Sequence, residues 1–504
     1  MEFGIDYNKT FGLHKTTALI LYNQSKYYSP SLQYYVPNAY QGLVGRLTYE
    51  YASRYLAEFN MGYNGTENFA KGKRFGFFPA VSLGWVISEE KFFPKNNIVK
   101  YLKVRGSYGE VGNDQIGGDR FLYLPSSYGA ASDSGVNKYN FGLASNPYTS
   151  LMIVENKIGN PDLTWEKAKK MNVGVDINLF NNCLTASFDI FKEKRNNILA
   201  NRSTSPMIIG ANLPAYNFGE MENRGWEMDL NFRHHIQDFH YWARFNYSFA
   251  RNEIIYMDEV QKRYDYQMTT GRRKNQFFGL IFDGYYNSWE EINALDRPKS
   301  SWSGNQLQPG DVKYVDVNQD GVIDDYDMVP IGYTPVPEII YGFSFGAQYK
   351  GFDFSILFQG ADNVSIKYFG RSMWPFAKGE ESAKSLIKER WTQERYEAGE
   401  KITFPRLSLN PNGETDHNYR PSTLWIRDAS YLRLKNLEVG YTFTGGFVKR
   451  LNLNSVRLYF NGSNLFTWTD VVDLDPEAPS RSGNVEINTY PLQKVYNIGL
   501  NINF

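Results

Sequence analysis

Between residues 316 and 327 the chain reads DVNQDGVIDDYD. Side-chain oxygens at Asp316, Asn318 and Asp320 occupy positions 1, 3 and 5 of a twelve-residue calcium-type loop. Gly321 permits the sharp turn at position 6, and Val322 offers a backbone carbonyl at 7. Asp324 and Asp327 close the set at 9 and 12. Hard oxygen donors at this spacing suit calcium in a structural role. Asp327 is shorter than the bidentate Glu of helix-flanked loops, and Pro330 stops any exit helix. The expected affinity is therefore the weak extracellular kind, ~10⁻⁴ M.

Catalytic constellations are absent. The five histidines, His14, His234, His235, His240 and His417, show no HExxH spacing, and there is no GxSxG, Walker or GxGxxG string. Neighbouring acids such as Glu89–Glu90 and Asp324–Asp325 read as solvated turns. The chain is not expected to be an enzyme. Tyr285, Trp289, Trp302 and Trp374 lie in long connections and are candidates to stack on a ligand. They could equally pack loop on loop or meet a partner protein.

The elements that must carry these loops announce themselves by period-2 alternation. At the end of the chain Tyr496, Ile498, Leu500, Ile502 and Phe504 share one parity, and Asn497, Gly499, Asn501 and Asn503 the other. Such a string is a strand with one apolar and one polar face. The same pattern marks 3–10, 15–25, 42–51, 55–64, 75–87, 101–111, 165–180, 184–195, 219–233, 239–251, 338–350, 352–362, 425–444, 455–468 and 492–504. Phase breaks once, between Leu434 and Leu437, which predicts a β-bulge near Lys435–Asn436. Within 363–424, apolar residues at helical spacing predict a helix over Lys378–Ala398, stopped by Gly399.

Turns such as 181–182 are short, whereas 112–164, 196–218, 252–337, 363–424 and 469–491 are long. Alternating short and long connections between antiparallel strands describe an outer-membrane β-barrel. Charged polar faces suit its wet lumen, and Asn172, Asp176, Glu227, Asp229, Arg244 and Asn497 are the lining candidates. Net charge is zero, with 54 basic and 54 acidic residues, so no nucleic-acid partner is indicated. A mean hydropathy of −0.50 does not oppose a barrel, since half of each strand and every loop is wet. The single cysteine, Cys183, forms no internal disulfide and reads as a small residue beside a turn. An odd strand count would leave two unpaired edges in lipid, at several kcal/mol per unsatisfied group. The chain is therefore expected to be the C-terminal part of a longer barrel. Its opening residues show no basic and apolar leader pattern, so either the protein is not exported or this sequence is expected to lack its natural beginning.

Several long strings resemble the SusC/RagA family of TonB-dependent outer-membrane transporters. They include FGFFPAVSLGWVISEEKFF (75–93), LKVRGSYGEVGNDQIG (102–117), NPDLTWEKAKKMNVGVDINLFNNCLTASFDIF (160–191) and NFGEMENRGWEMDL (217–230). Also similar are GDVKYVDVNQDGVID (310–324), ASYLRLKNLEVGYTF (429–443) and SNLFTWTDVVDLDPE (463–477). The resemblance implies an all-β, antiparallel transmembrane barrel of 22 strands, of which 1–504 would supply the last fifteen. The plug, TonB box, signal peptide and first seven strands would lie outside this chain. It further implies glycan or peptide import under a SusD-like lipoprotein lid, driven through TonB, with Phe504 as the terminal aromatic read during barrel assembly. A metal-chelate receptor, a passive porin and a surface adhesin are the alternatives.

Overall fold

A computed structural model describes residues 1–28, 37–115, 120–124, 129–130, 138–143, 148–151, 153–154, 158–204, 213–302, 307–368, 373–376, 385–408, 416–477, 484–485 and 492–504. Fifteen strands form one antiparallel sheet in plain chain order. They are β1 (Glu2–Phe11), β2 (His14–Tyr27), β3 (Asn38–Tyr51), β4 (Tyr55–Thr66), β5 (Phe75–Val86), β6 (Val99–Asn113), β7 (Glu166–Leu179) and β8 (Leu184–Ala200). β9 (Tyr216–Ile236), β10 (Phe239–Tyr256), β11 (Ile339–Tyr349), β12 (Phe352–Asp362), β13 (Tyr431–Phe443), β14 (Ser455–Thr469) and β15 (Val495–Asn503) complete it.

Every segment expected from alternation is a strand. Several ends shift by up to five residues, as where 184–195 runs on to Ala200 and 239–251 to Tyr256, and the largest change is at 425–444, which begins at Tyr431 because Ile426–Asp428 pairs instead with Ser365–Lys367. The predicted bulge is present, with the β13–β14 register shifting between Leu434 and Asn436. Backbone pairing had claimed Ile426, and no periodicity could reveal that competitor.

The chain divides into two compact units. The first comprises Met1–Ile177, Asp189–Arg224 and Asn252–Val260. In it Ile5 faces Ile20, Ile20 faces Gly45 and Gly45 faces Met61, so one parity gathers on one side of the sheet. That side is apolar and exposed, as at Ile5, Ile20, Leu83 and Val173. A small core of Phe69, Phe78, Leu122, Leu163 and Trp165 sits where long connections meet the sheet.

The second unit comprises Asn178–Phe188, Gly225–Arg251 and Gln261–Phe504. Phe180, Asn181 and Asn182 take φ of 52°, 56° and 68°, and the Cys183 N–H donates to the Phe180 carbonyl at 3.1 Å. The two central residues of this turn are left-handed, which Asn tolerates and most residues do not, and Phe180 before them shares the conformation. The apolar face is bare here too: Ile498 is 80% exposed. The long connections, by contrast, build a core of their own around Trp425, Tyr419, Tyr368, Phe404, Val312 and Leu280. Each fully buried large side chain contributes about 1.5–3 kcal/mol.

The single helix expected over Lys378–Ala398 does not form. Residues 377–384 lie outside the described residues. Ser385–Glu389 is a 3₁₀ turn, and Gln393–Glu397 is a separate α-helix capped by Thr392, whose Oγ1 accepts from the Arg395 N–H at 3.3 Å. The Trp391 N–H donates to Phe404 at 2.8 Å, so it is committed elsewhere. Gly399, at φ +66°, does end the second helix.

Candidate functional site

In the first unit the polar face is organised by Arg105 on β6. Its guanidinium donates to both Asp176 oxygens on β7, at 3.1 and 3.3 Å. It also donates to both Asp189 oxygens on β8, at 2.7 and 2.6 Å, and to Asn172 Oδ1 at 3.4 Å. To reach β8 it must cross β7, and Gly174 is where it crosses. A Cβ there would stand 2.6 Å from Asp189 Oδ1 and 2.7 Å from Arg105 Cζ. Two of the expected lining residues, Asn172 and Asp176, are thus joined by an arginine that alternation alone did not single out.

The second unit repeats the device. Arg457 on β14 donates to both oxygens of Asp353 on β12, at 2.9 and 2.5 Å, and to Glu438 on β13 at 2.6 Å. It passes over Gly440, where a Cβ would lie 2.5 Å from Asp353 Oδ2. Gly174→Val should destabilise the protein by about 1–3 kcal/mol, the usual cost of overpacking. Heat-modifiable gel mobility would read this as a lower transition temperature; an unchanged temperature would mean the crossing has room to spare.

Asp229 and Arg244 line one open cavity with Asn231, Asn246, Ser344 and Ser355, beside Trp242, Phe343 and Ile356. Asp229 accepts from the Asn231 amide, and the Arg244 guanidinium lies 5.9 Å from the ring of Trp242. Trp242, an aromatic on the polar face, was missed because it interrupts the polar parity. Glu227 accepts from Ser248 Oγ at 3.3 Å, and Asn497 donates to Asn461 at 2.8 Å.

The four loop aromatics separate. Tyr285 and Trp374 are buried in the loop core, so neither presents a ring to a ligand. Trp302 lies under the Arg420 guanidinium, 4.0 Å away, and only Trp289 of the four is more than half exposed. The loops had signalled exposure by polarity, while their aromatics were being buried by one another.

The acidic loop is internally bonded. Asp316 Oδ2 accepts from the Gly321 N–H at 2.8 Å, Asn318 Oδ1 from Asp320 at 3.0 Å, and Asp320 Oδ1 from Val322 at 2.9 Å. Asp324 Oδ1 accepts from Tyr326 at 2.7 Å. Asp327 is fully buried and takes three backbone donors, from Val317, Asn318 and Asp324. Burial nonetheless holds its carboxyl above the ordinary range, and the nearby Asp316 charge adds to this. Asp316 Oδ1 is buried with no hydrogen-bond partner. Two like charges and one orphaned oxygen fit a cation, although no three acidic, imidazole or thiol groups converge among the described residues. Gly321 keeps φ at +81°, as the turn requires. Phe504 follows β15, and its backbone oxygen accepts from the Asn454 amide at 2.6 Å.

A long antiparallel sheet with one bare apolar face and one ion-paired polar face defines a transmembrane β-barrel protein of the outer membrane. Residues 2–465 match the TonB dependent receptor-like β-barrel family, and the chain belongs to it. It is 28% identical over 479 residues to TonB-dependent receptor P3 of Formosa agariphila, covering 91% of this chain and 45% of that protein. It is 28% identical over 477 residues to TonB-dependent receptor SusC of Bacteroides thetaiotaomicron, covering 94% and 44%. The chain thus spans about half the length of the curated relatives it matches. The solved structure of the RagAB peptide transporter shares the fold, with a TM-score of 0.72 at 21% identity over 100% of this chain and 55% of that one. The family is one of receptors, in keeping with a sequence that carries no catalytic set.

Proposed function

We propose that this chain forms part of the wall of a TonB-dependent importer that takes up glycans or peptides beneath a SusD-like lipoprotein lid. The observation that carries this is the polar face, where Arg105 and Arg457 hold carboxylates across three strands in positions suited to a wet path. The likeness to the RagAB peptide transporter supports the peptide class, and the SusC/RagA resemblance of the sequence implies glycans beside it. β1 and β15 each pair on one side only among the described residues, so further polypeptide would complete the wall and carry the contact with TonB. The lumen-side candidates Asn172, Asp176, Glu227, Asp229, Arg244 and Asn497 line the path rather than bind one substrate. A deletion strain should lose growth on, and uptake of, at least one oligosaccharide or peptide mixture. Unchanged uptake across all of them would refute the reading.

We further propose that the 316–327 loop takes a structural calcium ion. Asp316, Asn318, Asp320, the Val322 carbonyl and Asp327 would hold it, with Asp324 as a more distant oxygen. Bound calcium supplies the positive charge that the Asp316–Asp327 pair lacks. Calorimetry on the intact protein should show uptake with a Kd of ~10⁻⁴ M. Affinity should fall as pH drops through the raised Asp327 pKa, because a protonated carboxyl no longer offers the ion a charged oxygen. No heat at millimolar calcium would exclude the site.

A further inference from the structure

On four neighbouring strands the apolar face stops abruptly in charge, always toward the long connections. On β6 the row Leu102, Val104, Tyr108 runs into Glu110, and on β7 the row Val175, Val173, Met171 runs into Lys169 and Lys167. On β8, Ile190 is followed on its parity by Lys192 and Lys194. On β9, Arg224, Glu222 and Glu220 precede Trp226 on the same parity. The charges form a cross-strand ladder: Lys192–Glu222 at 2.8 Å, Lys194–Glu220 at 2.9 Å, and Lys167 and Lys169 to Glu110 at 3.8 and 3.9 Å. These side chains leave the same face that Met171, Val173 and Ile190 expose.

We propose that this ladder docks the phosphate-bearing headgroups of anionic lipids in the outer leaflet. Its height fits, because the switch from apolar to charged on a barrel's outward face marks where hydrocarbon gives way to headgroups. Its charge fits as well. Five cations (four lysines and Arg224) face three carboxylates, which leaves the belt net positive. The lysine side chains are 38–54% exposed, and exposed ion pairs are weak enough for a phosphate to exchange with a glutamate. Long lysine stems can lie along apolar surface while their ammonium groups reach the headgroup level. The proposal rests on the outer-membrane location and not on the imported substrate, so it stands or falls separately from the transport reading.

The test uses the full-length protein in mixed micelles of phosphatidylcholine with 10 mol% lipid A, about one lipid in ten chosen so that charged headgroups are the minority species. Lipid A retained through gel filtration is quantified. A variant carrying Lys167→Gln, Lys169→Gln, Lys192→Gln and Lys194→Gln should retain about tenfold less lipid A at low salt. The matching four Lys→Arg changes should retain the wild-type amount. Equal retention by the Gln variant overturns the proposal, as does loss of lipid A to millimolar inorganic phosphate, which would make this a free-phosphate site. Should the Gln variant fail to fold, single cysteines at 169 and 171, introduced with Cys183→Ser, decide the height. An impermeant maleimide should label Lys169→Cys in membranes and spare Met171→Cys; labelling of both, or of neither, places the boundary elsewhere and defeats the proposal.

Discussion

Replacing Arg433 with methionine should cost about 3–5 kcal/mol, the penalty for leaving the buried Asp475 carboxylate without its cation and Glu477 with Lys435 alone. Arg433 on β13 is 2% exposed, and every nitrogen of its guanidinium is engaged. Nε donates to Thr467 at 3.0 Å, Nη1 to Glu477 at 2.5 Å and Nη2 to Asp475 at 2.6 Å. Asp475 also accepts the N–H groups of Glu477 and Leu492, so one side chain ties the segment after β14 back onto the sheet. Burial alone would push the Asp475 carboxyl upward, but Arg433 and the two backbone donors hold it below its ordinary value. A depressed carboxyl stabilises the fold above its unfolded pKa, and that contribution disappears as pH falls through the folded one. Wild type should therefore loosen here in acid, and Arg433→Met should already be loosened at neutral pH. Thermal scans at pH 7 and pH 3 check both; coincident wild-type and variant curves at pH 7 would sink the clamp.

Trp425→Ala should have a comparable effect, about 3–5 kcal/mol, but confined to the loops. The indole is 1% exposed and its Nε1–H donates to the Asn418 carbonyl at 2.8 Å. It stacks on Tyr419 at 5.3 Å and meets Phe404 edge-on at 5.5 Å. Removing it empties the centre of a core that no strand of the sheet supplies. Limited proteolysis should then cut within 261–337 and 385–430, while heat-modifiable mobility of the barrel is retained. Equal protease resistance in the variant would show that the loops do not depend on this core.

The strands were legible because lipid on one side and water on the other enforce alternation residue by residue. Even the bulge could be read, from Leu434 and Leu437 falling out of phase. The ion-paired clusters were not legible, because pairing Arg105 with Asp189 requires the register of three strands, and alternation fixes parity without fixing register. The loops were read least well. Tyr285 and Trp374 carry no periodicity, and their burial depends on a core assembled from distant segments, where Trp374 meets Tyr419 at 5.0 Å and Tyr285 belongs to the same cluster. Trp391 interrupts the expected helix for the same reason, since its partners Phe404 and Asn287 lie elsewhere, and Thr392 then caps a new helix locally.

A sheet patterned only by alternation tolerates a slide of two residues, which returns every side chain to its proper face. The guanidinium groups above Gly174 and Gly440 forbid that slide, since each spans three strands through a notch one residue wide. They act as rivets through the wall: a misaligned strand would present a Cβ, or no carboxylate, where the shank must pass. Neighbouring staves are thereby fixed in place by a few polar side chains, leaving the oily exterior free to vary in sequence so long as it remains oily.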